Sequence, residues 1–272
     1  MEGEILTQQN NNYIAFLDSG MGGVSVLAQA RALLPEENFI YYADIANAPY
    51  GNRPAGEVRR LVSQALGQLL PFGLKALLLA CNTATSASVA HLRRLLTMPV
   101  LGMEPALKPA LASSTGRVLV LGTALTIQEE KFCRLFAGLG QDRDIVPLAC
   151  PLLVDLIEES PENELIAPYL QELINPWEQG LEAIVLGCTH YVFLRPLLQK
   201  LYPSVRLFDG NEGVSRRLDQ ILKEKNLQGG SNQTIWLSSL KGTAGEGYLQ
   251  KCREFHEIHL RQPLKTQRCQ IR

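Results

Sequence analysis

Six short apolar runs punctuate this chain, each ending in small or polar residues ahead of a segment with helical character. Residues 13–17 (YIAFL) lead into DSGMGG, 38–42 (NFIYY) into ADIANAPYG, and 76–80 (ALLLA) into CNTATS. Farther on, 99–102 (PVLG) lead into MEPALKPA, 118–121 (VLVL) into GTALT, and 183–187 (AIVLG) into CTHY. Near-continuous apolar runs of strand length, separated by amphipathic helical stretches, indicate parallel strands covered on both faces. The pattern predicts an α/β fold. In open parallel sheets ligands bind beyond the carboxyl ends of the strands. The clusters DSG, PYG, CNTAT, GTALT and GCTH therefore mark where chemistry is to be sought.

The chain also repeats itself. Residues 73–83 (GLKALLLACNT) align without gaps on residues 180–190 (GLEAIVLGCTH), so that Cys81 falls on Cys188. A weaker echo sets IAFLDSG, with Asp18 and Ser19, against VLVLGTA, with Gly122 and Thr123. Long-period self-similarity fixes architecture. Here it predicts two similar α/β lobes with mainly parallel sheets, related by a pseudo-twofold, with the active site in the cleft between them. Residues 1–98 and 208–272 are expected to form the first lobe and residues 99–207 the second, so the backbone crosses between lobes twice.

Composition narrows the classes. At 46% hydrophobic and 19% charged residues, the chain has the make-up of an ordinary globular protein, with ample core for two modest domains. Twenty-six basic residues against 27 acidic ones leave no basic excess to attract nucleic acid or an acidic membrane. The modest apolar excess permits a homodimer without requiring one. The N-terminal MEGEILTQQNNN has neither the positive start nor the apolar core of a secretory signal, and reads as a short disordered lead-in. No apolar stretch approaches the ~20 residues of a membrane helix. These features point to a cytoplasmic protein with no membrane partner.

The six cysteines are Cys81, Cys133, Cys150, Cys188, Cys252 and Cys269, with no C-x-x-C pair and no sign of secretion, which makes them free thiols. Cys81 and Cys188 each close a strand and precede hydroxyl-bearing residues and a helix-like segment. Thr83, Thr85 and Ser86 are natural helix caps, and a thiol at a helix N-terminus has its pKa lowered by the exposed N–H groups. If the two lobes face each other, the thiols converge on one cleft from opposite sides. Such a pair suits inversion at a carbon, one group taking a proton from one face while the other returns a proton to the opposite face. Their titrations are coupled, because two facing thiolates repel. Cys133 and Cys150 lack this setting and read as core.

Metal binding is the competing reading. Cys188-Thr-His190 offers two soft ligands, but zinc takes three or four, and no second pair has a usual spacing to this one. Cys252, His256 and His259 share one face of a helix expected at the surface. No metal is predicted. DSGMGG is a poor dinucleotide loop, since Ser25 stands where the third glycine of G-x-G-x-x-G belongs. Its glycines suit the approach of backbone amides to a small carboxylate.

At these motifs the sequence resembles the glutamate racemase family over residues 13–222. DSGMGG is similar to the family's D-S-G-x-G-G, residues 49–51 to its P-Y-G, CNTAT and GCTH to its two cysteine motifs, and CPLLVDLIEE at 150–159 to its C-P-x-x-V-x-x-x-E segment. The resemblance implies that Cys81 acts on D-glutamate and Cys188 on L-glutamate. It also implies that Asp18 assists Cys81, that His190 assists Cys188, and that Glu158 contributes near the second thiol. Substrate contacts would come from Asp18, Ser19, Tyr50, Gly51, Asn82, Thr83, Thr189 and His190. Family members use neither pyridoxal phosphate nor metal, and they supply D-glutamate for peptidoglycan.

Those roles suit the residues. Asp18 and His190 can relay protons beside a thiol, while Ser19, Thr83 and Thr189 can bind a carboxylate as charge develops. One stretch departs from the family. Where it reads G-D-T-A-R before P-Y-G, this chain has Ala43-Asp44-Ile45-Ala46-Asn47, which is expected to alter rim contacts more than chemistry. No role is carried over to Thr126. Aspartate racemases share the two-cysteine design but usually have His after C-N-T-x and Glu after G-C-T; Thr85 and His190 stand there instead and favour glutamate. A non-catalytic amino-acid-binding protein is the alternative from another class, and it would need neither thiol.

Overall fold

The computed structural model describes residues 12–128 and 143–261. Cys133, Cys269 and the N-terminal lead-in lie outside the described residues. The apolar runs become strands β1 (Tyr13–Asp18), β2 (Asn38–Ala43), β3 (Leu74–Leu79), β4 (Val100–Gly102), β5 (Arg117–Gly122), β6 (Ile145–Ala149), β7 (Leu181–Leu186), β8 (Arg206–Phe208) and β9 (Thr234–Ser238). Between them run α1 (Val24–Leu33), α2 (Ala55–Leu69), α3 (Asn82–Leu95), α4 (Leu107–Ser113) and α5 (Ala124–Gln128). The remaining helices are α6 (Leu153–Glu159), α7 (Ile166–Ile174), α8 (Arg195–Leu201), α9 (Asn211–Glu224) and α10 (Gly242–Arg261).

Two sheets form, ordered β4-β3-β1-β2-β9 and β6-β5-β7-β8, and every strand pair in both is parallel. Read in matching directions, β4-β3-β1-β2 and β8-β7-β5-β6 are the same arrangement, and the first lobe adds β9 at its edge. The repeat extends to backbone detail. Gly73 and Gly180, which precede β3 and β7, both adopt left-handed conformations, with φ of 71° and 76°. Each is followed by the same register shift against the neighbouring strand, between Tyr13 and Ile14 in one sheet and between Arg117 and Val118 in the other. Glycine takes positive φ without the Cβ penalty, and this explains why both repeats open on it.

The central strands carry the core. Ile14, Phe16, Phe39, Leu77 and Leu78 in one sheet, and Leu119, Leu121 and Ile184 in the other, are fully buried, each worth roughly 1.5–3 kcal/mol of transfer free energy. Phe16 meets Phe39 edge-on, with centroids 5.8 Å apart. The strands that the apolar pattern does not reveal are β6, β8 and β9, and all three lie at sheet edges. They are half-buried, and β6 carries Pro147, which a central strand would not tolerate. β4, just past the boundary expected at residue 98, pairs with β3 in the first sheet. Among the described residues no helix is long and apolar enough to cross a membrane.

Candidate active site

The carboxyl ends of β1 and β3, and of β5 and β7, bring the polar clusters together. At the end of β1 the DSG turn closes on itself, the Gly20 amide donating to Asp18 Oδ1 at 2.7 Å. Asp18 is fully buried, and its other oxygen accepts a bond from Thr189 Oγ1 of the second lobe at 3.2 Å. Burial pushes the Asp18 carboxyl up to about 6, against the opposing pull of His190 and the Gly20 amide.

This shift makes a stability prediction. The folded protein holds the Asp18 proton more tightly than an unfolded chain, whose carboxyl titrates near 3.8. The resulting stabilisation is present below about pH 4 and is lost as pH rises through about 6. The difference corresponds to about 3 kcal/mol. Denaturant unfolding at pH 4 and pH 7 should therefore show Asp18→Asn gaining up to about 3 kcal/mol on the parent between those values. Parallel pH profiles for the two proteins would assign the titration to another group.

Cys81 ends β3 and itself caps α3. Its Sγ accepts the Ala84 amide at 3.4 Å and lies 3.7 Å from Ser19 Oγ. Two of the expected hydroxyl caps are otherwise engaged: Thr83 Oγ1 lies 3.0 Å from Thr123 Oγ1, and Thr85 Oγ1 donates to Leu79 O at 3.2 Å and accepts from Met103 N at 2.9 Å. The expected lowering of the thiol pKa is also reversed. Burial first, then the Asp18 charge, push Cys81 up to about 12, and the Ala84 amide offsets only part of this. A charge on Cys188 raises it further, so the two thiols are near enough to influence each other.

Cys188 closes β7 in the matching place, but the segment after it differs. A 3-10 stretch, Thr189–Leu194, intervenes, and α8 begins only at Arg195, so this thiol does not stand at an α-helix N-terminus. Its neighbour is an imidazole. Cys188 Sγ lies 3.8 Å from His190 Nδ1, and His190 Nε2 lies 2.6 Å from Glu158 Oε1. Burial disfavours the imidazolium, but the bonds to Cys188 and Glu158 outweigh it and hold His190 well above its ordinary value. Glu158 is likewise disfavoured by burial, yet the His190 bond and charge bring it below the usual carboxylate range. It is no solvated helix end: the Met21 amide and the Tyr248 hydroxyl also donate to it.

The expected substrate contacts surround the two thiols unevenly. Asn82 and Thr83 follow Cys81 in sequence, Thr189 follows Cys188, and Ser19 meets Cys81 in space; all four are buried, and Asn82 Oδ1 is a buried acceptor with no hydrogen-bond partner. Tyr50 is buried too, but its hydroxyl donates to Asp44 Oδ2 at 2.5 Å. Asn47, at the family departure, donates from Nδ2 to the other Asp44 oxygen at 2.9 Å. Its carbonyl accepts Arg53 Nε at 3.0 Å, which restores a cation near that rim. Gly51 packs on the second lobe: a Cβ there would lie 2.9 Å from Thr123.

Thr123 carries no role in the motif reading, yet it stands in the site. Its hydroxyl lies 3.0 Å from Thr83 Oγ1 of the first lobe and donates to Thr126 Oγ1 at 2.9 Å. A signal for it exists, because the weaker echo sets Thr123 opposite Ser19. Tyr248 is likewise absent from the motifs, and nothing in its sequence surroundings marks it.

Cys150 is buried, as expected of a core thiol, and burial raises it to about 12. The expectation of a surface helix for Cys252, His256 and His259 is corrected. α10 packs against α1 and β9, burying Cys252 and His256 completely, and Trp236 lies edge-on to His256 at 5.3 Å. Apolar residues on that face of α10 pull it into the core, and burial pushes His256 down to about 4. No cluster of three or more His, Cys, Asp or Glu placed to hold a metal ion occurs among the described residues.

The sequence profile of the Asp/Glu/Hydantoin racemase family matches residues 24–215. A glutamate racemase of Clostridium perfringens is 43% identical over 223 residues, covering 80% of this chain and 86% of that protein. Among solved structures, a glutamate racemase of Bacillus anthracis superposes with a TM-score of 0.79 at 28% identity, covering 90% of this chain and 93% of that one. The Escherichia coli glutamate racemase in complex with L-glutamate and the activator UDP-MurNAc-ala gives 0.79 at 27% identity, covering 90% and 95%.

Proposed function

The chain belongs to the Asp/Glu/Hydantoin racemase family, and from that premise we propose that it interconverts L- and D-glutamate by two-base thiol chemistry without a cofactor. The observation that carries this reading is the pair of buried thiols at matching strand ends of a repeated fold, each with its own proton-handling neighbour. The relatives named as glutamate racemases support the choice of substrate.

In the L-to-D direction, the Cys188 thiolate takes the α-proton of L-glutamate and becomes a thiol. The electron pair left on the α-carbon delocalises into the α-carboxylate. The Cys81 thiol then gives its proton to the opposite face, leaving a thiolate, and the reverse direction exchanges the roles. His190, held by Glu158, supplies positive charge beside Cys188, and Asp18 handles protons beside Cys81. Burial and the Asp18 charge keep Cys81 a thiol, which is the form the L-to-D direction needs from it. In the other direction, the substrate's α-ammonium brings the positive charge that favours its thiolate. Asn82 Oδ1, an unpaired buried acceptor, suits that ammonium. Ser19, Thr83, Thr189, Tyr50 and Gly51 line the remaining contacts. D-glutamate made in this way serves peptidoglycan synthesis.

Incubation with L-glutamate in heavy water, without cofactor and with chelator, tests the reading. D-glutamate carrying deuterium at the α-carbon is the expected product. Exchange with aspartate alone would retain the chemistry and overturn the substrate. No exchange with any amino acid, from folded protein with reduced thiols, would favour a binding protein.

A further inference from the structure

On the far side of His190 from the thiol, the Glu158 carboxylate is held by donors from both lobes. Oε1 accepts His190 Nε2 at 2.6 Å, the Met21 amide at 3.0 Å and the Tyr248 hydroxyl at 3.0 Å. Oε2 accepts Tyr248 at 2.9 Å, and among the described residues it has no other donor. Tyr248 stands on α10, which packs on α1 and β9 of the first lobe, whereas Glu158 stands in α6, between β6 and β7 of the second. Lys251, one turn farther along α10, donates to the Glu158 carbonyl. Gly20 leaves the space: a Cβ there would lie 2.2 Å from Glu158 Oε1 and 3.0 Å from the Tyr248 hydroxyl.

We propose that Tyr248 is a positioning residue, which fixes the rotation of the Glu158 carboxylate and through it aims His190 at Cys188, so that the C-terminal helix sets the efficiency of one of the two thiols. A carboxylate gripped on a single oxygen turns about its terminal bond, and these torsions are soft. A donor bridging both oxygens removes that freedom. The Tyr248 hydroxyl remains a donor throughout the working range, since burial and the Glu158 charge both oppose its ionisation.

The inference rests on the racemase reading, and its test separates the two. In Tyr248→Phe the ring packing stays and the one hydroxyl proton shared between the Glu158 oxygens goes. We expect kcat to fall roughly tenfold, the fold-change of one hydrogen bond to a charged group, with KM changing less. The primary isotope effect on kcat/KM for α-deuterated L-glutamate should rise, because abstraction by Cys188 becomes more limiting, while that for the D-enantiomer should not. In a Glu158→Gln background the same substitution should add little, as expected of residues acting through one another. The imidazole N–H proton of His190 shared with Glu158 should resonate downfield in the parent by NMR and move upfield in Tyr248→Phe. An unmoved resonance, equal isotope effects for both enantiomers, or a loss that repeats in full in the Glu158→Gln background would overturn the proposal. The NMR arm reads positioning even if the parent racemises no glutamate, an outcome that would instead sink the racemase reading.

Discussion

Cys81→Ala and Cys188→Ala are each expected to reduce racemisation by at least ~10³-fold, within the range for removal of one positioned acid or base. The two variants are expected to fail differently. With Cys188 gone, Cys81 still reaches one face of the carbon. D-glutamate should then exchange its α-proton with heavy water without inverting, while L-glutamate stays inert; Cys81→Ala should show the opposite pattern. Both thiols are buried and 6% exposed, and each change removes only a sulfur, so folding should survive and chiral separation with NMR reads the chemistry directly. Racemisation at the parent rate in both variants would sink the two-thiol mechanism. Symmetric loss of exchange for both enantiomers in either variant would refute the assignment of one thiol to each face.

Gly22→Ala is the second large effect. A Cβ at Gly22 would lie 2.5 Å from Thr189 Oγ1, 2.6 Å from His190 Nδ1 and 2.8 Å from the His190 backbone nitrogen. Thr189 is tied to Asp18, and His190 to both Cys188 and Glu158, so the segment carrying Thr189 and His190 must itself yield. We expect this to cost about 10²-fold in rate and, through overpacking, roughly 1–3 kcal/mol of stability. Steady-state kinetics with denaturant unfolding checks both. Gly56→Ala, on α2 with no atom within 4 Å, is the matched control, and it should gain about 0.5–1 kcal/mol with unaltered turnover. If Gly22→Ala were as active as that control, the DSG loop would not be what holds His190 in place.

Much of this protein was legible along the chain. Each central strand was readable because burial on both faces demands a continuous apolar run. The duplication was readable because both lobes need the same glycine, the same register shift and the same strand end to present a thiol. The edge strands β6, β8 and β9 were not, since a strand with one covered flank carries no such demand. The 3-10 stretch that separates Cys188 from α8 was not legible either: a 3-10 segment and an α-helix share much the same local composition, and packing selects between them.

By itself the sequence determined the α/β class and the duplication, and its motifs singled out Cys81, Cys188, Asp18, His190 and Glu158 as candidates for moving a proton. Only the tertiary structure decided their electrostatics. A helix N-terminus lowers a thiol pKa through local amides, but burial next to Asp18 raises that of Cys81 by more, and burial is a property of the whole packed assembly. Tertiary structure likewise decided that Glu158 meets His190, that Thr123 meets Thr83, and that Tyr248 reaches across from a C-terminal helix to grip both oxygens of Glu158. These contacts join residues far apart in sequence, and periodicity and motif spacing report only on neighbours along the chain.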